Sequence, residues 1–119
     1  MSTIFIVDDS DTNLATAEEA LEDDFNVMTM PSALKMFSLL EKVTPNLILL
    51  DIEMPEMNGF EALEKLKSSA SQANIPVIIL TGTVDASIEK RGSSMGAVDI
   101  ISKPFSKPVL LEKIKAHIK

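Results

Sequence analysis

The 119 residues suit one domain, and an apolar share of 45% gives enough material for a hydrophobic core, which excludes intrinsic disorder. The net charge of −7 sets an acidic surface against nucleic acid or an anionic membrane as a direct partner. The absence of cysteine excludes disulfides and thiolate metal sites and fits a reducing compartment. The apolar run near the N-terminus, Ile4 to Val7, is too short for a signal peptide, and no basic segment precedes it. No stretch approaches the ~18 apolar residues of a membrane span. The expectation is a cytoplasmic, soluble domain over residues 1–119.

Short apolar runs alternate with longer amphipathic ones. Ile4 to Val7 is the first strand and ends abruptly at Asp8-Asp9. Thr12 to Leu21 carries Leu14, Ala17 and Leu21 at helical spacing, with Asp11 as the expected N-cap. Asn26 to Met30 is a second strand. Pro31 breaks it, and Ser32 caps a helix bearing Ala33, Phe37 and Leu40. Leu47 to Leu50 is apolar without alternation, the pattern of a strand covered on both faces.

Pro55 and Gly59 punctuate the next loop, and a helix follows with Phe60, Leu63 and Leu66 on one side. Val77 to Leu80 is a fourth continuous strand. Asp85 to Met95 has helical character around Ile88 to Arg91. Gly92 and Gly96 each cost a helix roughly 1 kcal/mol against alanine, so an easily frayed helix is expected. Asp99 to Ser102 is a short fifth strand. Ser106 caps a last helix, with Pro108 in its first turn and Leu111, Ile114 and Ile118 as its buried stripe. Five strands alternating with five helices predict an α/β fold: a flavodoxin-like, doubly wound parallel sheet of order 2-1-3-4-5.

In such a sheet, ligands bind beyond the carboxyl ends of the strands, where the strand order reverses. The first strand ends in Asp8-Asp9, the third in Asp51, the fourth in Thr81-Gly82 and the fifth in Ser102-Lys103-Pro104. With order 2-1-3-4-5, the first and third strands flank the reversal, and their carboxylates meet. Two unit charges ~4 Å apart exchange ~4 kcal/mol at an effective dielectric near 20, so a cation or a raised pKa must offset the repulsion. Lys103 supplies one positive charge, and oxygen ligands with room for water suit Mg²⁺. Aspartate is an established nucleophile for an aspartyl-phosphate. Thr81 offers a hydroxyl and Lys103 a point cation to a phosphoryl group. Taken singly, each residue reads as an N-cap, a turn residue or a loop residue; the signal is their joint placement.

These segments resemble the receiver domain of bacterial two-component response regulators. The resemblance is carried by Ile6-Val7-Asp8-Asp9, by Leu49-Leu50-Asp51-Ile52-Glu53-Met54-Pro55-Glu56-Met57-Asn58-Gly59, by Pro76 to Thr81, by Gly96-Ala97 and by Lys103-Pro104-Phe105. It implies a phosphorylation switch rather than a turnover enzyme. Asp51 would take a phosphoryl group from a histidine kinase or a histidine phosphotransfer protein. Asp8, Asp9, Asp51 and the backbone carbonyl of Glu53 would hold Mg²⁺ or Mn²⁺, and Thr81 and Lys103 would contact the phosphoryl group. A cis peptide before Pro104 is implied too. An output domain or target protein would read the state of the fourth to fifth helix face.

Two positions depart from the pattern. Ile100 stands three residues before Lys103, where the family usually has an aromatic residue that turns inward, so a ring-flip readout is placed in doubt. Gly82 follows Thr81 where alanine is commoner, which adds freedom to that loop. Both point to a switch that orders residues 82–96. Glu53, two residues past Asp51, is expected to disfavour a nearby phosphate. His117, the only histidine, is expected either to face solvent or to serve at a helix end, and Lys90-Arg91 and Lys113 to Lys115 on solvated faces.

Three rival readings fit the sequence less well. Asp51-Ile52-Glu53 superficially resembles the nucleophile motif of haloacid dehalogenase-type phosphatases, but that motif normally follows the first strand. A flavodoxin-like binder of flavin phosphate needs hydroxyl and glycine donors where Asp8-Asp9 stands. A receiver-like docking module without phosphorylation is opposed by the complete set of Asp8, Asp9, Asp51, Thr81 and Lys103.

Overall fold

A computed structural model describes residues 1–118. Five strands form one parallel sheet: β1 (Thr3–Val7), β2 (Asn26–Met30), β3 (Leu47–Asp51), β4 (Val77–Thr81) and β5 (Asp99–Ser102). Their order is β2-β1-β3-β4-β5, so the reversal falls between β1 and β3, as expected. The helices α1 (Asp11–Leu21), α2 (Ala33–Leu40), α3 (Gly59–Ser68), α4 (Ala86–Ser94) and α5 (Lys107–His117) alternate with the strands. No described helix is long and apolar enough to cross a membrane.

The central strands show why their sequences lack alternation. Every residue of β3 and β4 is buried. Ile48, Leu50, Val77 and Ile79 pack with α2 and α3 on one face. Leu47, Leu49, Ile78 and Leu80 pack with α1 and α5 on the other. A parallel sheet covered by helices on both sides requires apolar residues at odd and even positions alike. The registers Val7 to Leu50 and Thr81 to Ser102 bring the carboxyl ends of β1, β3, β4 and β5 to one rim.

Several local expectations shift by a few residues. The N-cap of α1 is Ser10, whose hydroxyl accepts the Asn13 N–H at 3.3 Å; Asp11 lies inside the first turn, where its charge complements the helix dipole. In α2 the buried stripe is Ala33, Met36 and Leu40, while Phe37 sits at its margin near Lys65. In α5, Leu110 and Ile114 are buried, and Leu111 and Ile118 are only half-buried. In α2 and α5 one step of helical phase moved part of the expected stripe, while the α1 stripe of Leu14, Ala17 and Leu21 is buried as expected.

The fourth helix has a different logic from the one expected. Gly92 is the only buried residue of α4, and a Cβ there would lie 2.8 Å from Ile79 Cδ1. The glycine permits close approach to β4 rather than merely weakening the helix. Gly96, at φ 99°, follows the C-cap Met95 and ends the helix in the left-handed conformation that favours glycine.

Candidate functional site at the carboxyl ends of the strands

Asp8, Asp51 and Thr81 are the buried polar residues of the described chain, and all three stand at the expected rim. Asp8 is fixed first. Its Oδ1 accepts the Ser10 N–H at 2.9 Å, and its Oδ2 accepts an Asn13 Nδ2 hydrogen at 3.3 Å. The sequence reading missed both partners; Asn13 stands one turn into α1, a position whose only signal is helical phase.

Asp51 terminates β3. Its Oδ1 accepts the Glu53 N–H and the Lys103 ammonium, both at 3.0 Å. Its Oδ2 is buried without a hydrogen-bond partner. Gly59 lies directly beneath, since a Cβ there would be 2.4 Å from the Asp51 carbonyl oxygen. This glycine is therefore required by close approach, where the sequence showed only loop punctuation.

Lys103 reaches inward between two carboxylates, 3.0 Å from Asp51 Oδ1 and 3.5 Å from Asp8 Oδ2. The Lys103–Pro104 peptide is cis, as the resemblance implied. Asp9 is exposed at the mouth. Carboxylate oxygens of Asp8, Asp9 and Asp51 all lie within 4.8 Å of one another. Three carboxylates, one with a buried oxygen lacking any partner, fit a small divalent cation with oxygen ligands.

Burial pushes the Asp51 carboxyl up from 3.8 to about 6; the Glu53 N–H and the Lys103 bond oppose the rise, and the Asp8 charge adds to it. Burial acts to lower the Lys103 ammonium, but its bond to Asp51 and the charges of Asp51 and Asp8 hold it above the ordinary lysine range. The same ion pair thus favours the charged lysine without rescuing the aspartate. Asp51 is fully enclosed and faces a second anion, whereas Lys103 gains two anions and keeps some exposure to water.

Thr81 and Glu53 form the other wall. Thr81 Oγ1 accepts the Thr83 N–H at 3.1 Å and lies 3.0 Å from the Thr83 carbonyl oxygen and 3.3 Å from Glu53 Oε1, either of which accepts its proton. Glu53 Oε1 also accepts the Gly82 N–H at 3.1 Å. The Glu53 carboxylate therefore bridges from β3 to the end of β4. No hydrogen bond joins Thr81 to Asp51 among the described residues.

Residues 4–115 match the response regulator receiver domain family. The chain belongs to that family. Among relatives of this receiver, a "Probable cyclic di-GMP phosphodiesterase" of Vibrio cholerae is 37% identical over 98% of the chain, which spans 26% of that longer protein. Protein PilG of Pseudomonas aeruginosa is 31% identical, with 97% of this chain and 86% of PilG covered. The polar-differentiation response regulator DivK of Brucella ovis is 32% identical, with 98% and 95% covered. The fold is that of chemotaxis protein CheY4 of Vibrio cholerae, with a TM-score of 0.94 at 24% identity and 99% of both chains covered.

Outside the rim, Arg91 is exposed and His117 stands in the last turn of α5, as expected, but both of them, like Lys113, have partners. His117 Nε2 lies 3.0 Å from Asp99 Oδ2, and Lys113 Nζ lies 2.9 Å from Asp99 Oδ1. Burial alone would raise the Asp99 carboxyl, but the bonds from Lys113, the Ile100 N–H and His117 together hold it below the ordinary range. Arg91 stacks over the Phe60 ring, its Cζ 4.0 Å from the centroid. The Arg91 contact joins α4 to α3, and the two Asp99 contacts join β5 to α5, the helix that follows it.

Proposed function

We propose that the receiver is a phosphoacceptor switch, with Asp51 as the nucleophile toward the phosphohistidine of a histidine kinase or a histidine phosphotransfer protein. The observation that carries this reading is the buried Asp51 carboxylate at the sheet reversal. One of its oxygens lacks a partner, while a lysine and two further carboxylates converge on it.

In the transfer, an Asp51 carboxylate oxygen bonds to phosphorus as the phosphorus–nitrogen bond breaks. The electron pair leaves with the imidazole, which takes up a proton. Lys103 supplies positive charge beside the nucleophile and is free to follow the phosphoryl oxygens. Thr81 and the Gly82 N–H are donors for those oxygens once Glu53 releases them. Asp8 and Asp9, with Asp51 and the Glu53 carbonyl, would hold Mg²⁺ or Mn²⁺, which supplies neutralisation of the anionic donor when bound.

Reorientation of Thr81 draws on the loop of residues 82–85, which leads straight into α4. The output is therefore a shift of α4 and of the face it shares with β5 and α5. A groove of about 550 Å³ runs along that face, with Val84, Val98 and Val109 exposed at its edges. An output domain or target protein would bind there. No observation favours a phosphatase of the haloacid dehalogenase type, whose nucleophile follows the first strand, or a flavin site.

The test is incubation with acetyl phosphate and Mg²⁺ followed by intact mass. The wild-type chain gains one phosphoryl group, and Asp51→Ala gains none. Equal labelling of both proteins contradicts the proposal, and catalytic release of phosphate from monoesters would favour the phosphatase instead.

A further inference from the structure

We propose that Arg91 is a positioning residue that holds α4 in its resting seat by stacking on Phe60, and that phosphorylation of Asp51 acts against this clamp. The inference rests on the phosphoacceptor reading above and names the contact that sets its resting state.

Phe60 is fixed to the phosphoacceptor strand. It follows Gly59, whose N–H bonds the Ile52 carbonyl at 3.2 Å and whose Cα abuts the backbone of Asp51 and Ile52. Phe60 is itself buried. The ring is thus a buried part of the core, tied through Gly59 to the end of the phosphoacceptor strand. Arg91, in the last turn of α4, lays its guanidinium on that ring with Cζ 4.0 Å from the centroid.

The helix has little else to hold it. Gly92 is its only buried residue and contributes no side chain, while Ile88 and Met95 are half-buried at the margin of the core. Its N-cap, Asp85, ends the exposed loop of residues 82–85 that follows the buried Thr81. In this arrangement the Thr81 hydroxyl is engaged by Thr83 and Glu53, not by Asp51. Turning it toward a phosphoryl group pulls on the N-terminal end of α4, and the Arg91 stack resists from the far side. Loss of the stack removes that resistance and makes the activated arrangement easier to reach.

The experiment titrates the full chain with beryllofluoride and Mg²⁺, followed by amide NMR, with urea unfolding in parallel. Arg91→Ala binds roughly two- to fivefold more tightly than wild type, the range set by a cation–π contact at an exposed site. Phe60→Leu shows the same gain, and the double variant binds no tighter than either single one. Unchanged or weaker binding in Arg91→Ala, or gains that multiply in the double variant, overturns the clamp. A purely structural role would lower urea stability and leave the affinity alone, which also overturns it. Arg91 is exposed, so Arg91→Ala decides the question even where Phe60→Leu loses part of the core. Absence of Asp51-dependent binding in wild type sinks the phosphoacceptor reading and the clamp with it. Wild-type binding with an unaltered Arg91→Ala sinks the clamp alone.

Discussion

Replacing Asp51 by asparagine is expected to stabilise the protein in chelator at neutral pH and to do nothing at acid pH. The folded carboxyl sits at about 6 against 3.8 for the free group. At ~1.4 kcal/mol per unit, the ionised form costs the fold ~3 kcal/mol. The sign follows from proton binding. Between pH about 4 and 6 the unfolded chain has lost this proton while the folded chain keeps it, so stability falls as pH rises through the window. The penalty is absent below pH about 4 and complete above pH about 7. Asparagine reproduces the neutral side chain and removes the penalty. Lys103 keeps Asp8 at 3.5 Å as a partner. Against a typical total of ~5–15 kcal/mol, a gain of ~3 kcal/mol is easily measured, and it raises the melting temperature by roughly 10 °C. The assay is urea unfolding of both proteins in EDTA at pH 8 and at pH 4. Equal stability at pH 8, or a difference that grows toward pH 4, refutes the reasoning. Added Mg²⁺ narrows the gap at pH 8, because a ligand that binds only the folded state stabilises it by mass action.

Glu53→Gln keeps the acceptor for Thr81 and Gly82 but drops the charge. Its phosphorylation by acetyl phosphate is expected to be roughly fivefold faster, the rate equivalent of the ~1 kcal/mol between two unit charges ~4 Å apart in water, and its dephosphorylation to be altered. Unchanged rates of uptake and hydrolysis in mass-spectrometric time courses would remove Glu53 from the account. Hydrogen exchange of residues 82–96 is expected to slow when beryllofluoride and Mg²⁺ are added; equal protection in both states contradicts an ordering switch in this segment. Asp99→Asn is expected to destabilise the fold by about 0.5–1 kcal/mol at neutral pH. The Asp99 carboxyl lies below its ordinary value, so its contribution is present above that ordinary value and is lost as pH falls through the lower, folded one. A loss that persists at pH 2 in urea titrations would show that the Lys113 and His117 bonds are not its source.

The parts of this fold that were readable from the chain are those set by local pattern. Leu47 to Leu50 and Val77 to Leu80 are apolar at every position because helices cover both faces, and each run ends where its strand ends. Once those ends are known, topology alone brings Asp8, Asp51, Thr81 and Lys103 to one rim, and the structure has them there. What escaped the reading depends on helical phase or on contacts distant in sequence. Met36 rather than Phe37 faces the core of α2, and Ser10 rather than Asp11 caps α1, because both choices are a single residue apart in phase. Arg91 on Phe60 and Lys113 on Asp99 read only as solvated charges, and His117 only as a surface or helix-end residue, because their partners come from other elements. Gly92 looked like a defect in a helix because its reason is Ile79 on the neighbouring strand.

The central claim is that the chemistry occurs on one carboxylate. Treating the wild-type chain with acetyl phosphate and Mg²⁺, trapping the acyl phosphate by borohydride reduction and mapping the modified peptide tests it most directly. The expected result is a single modified residue, Asp51, and no modification in Asp51→Asn. Modification at Asp8, Asp9 or Glu53 in the wild-type chain, with Asp51 untouched, would contradict it.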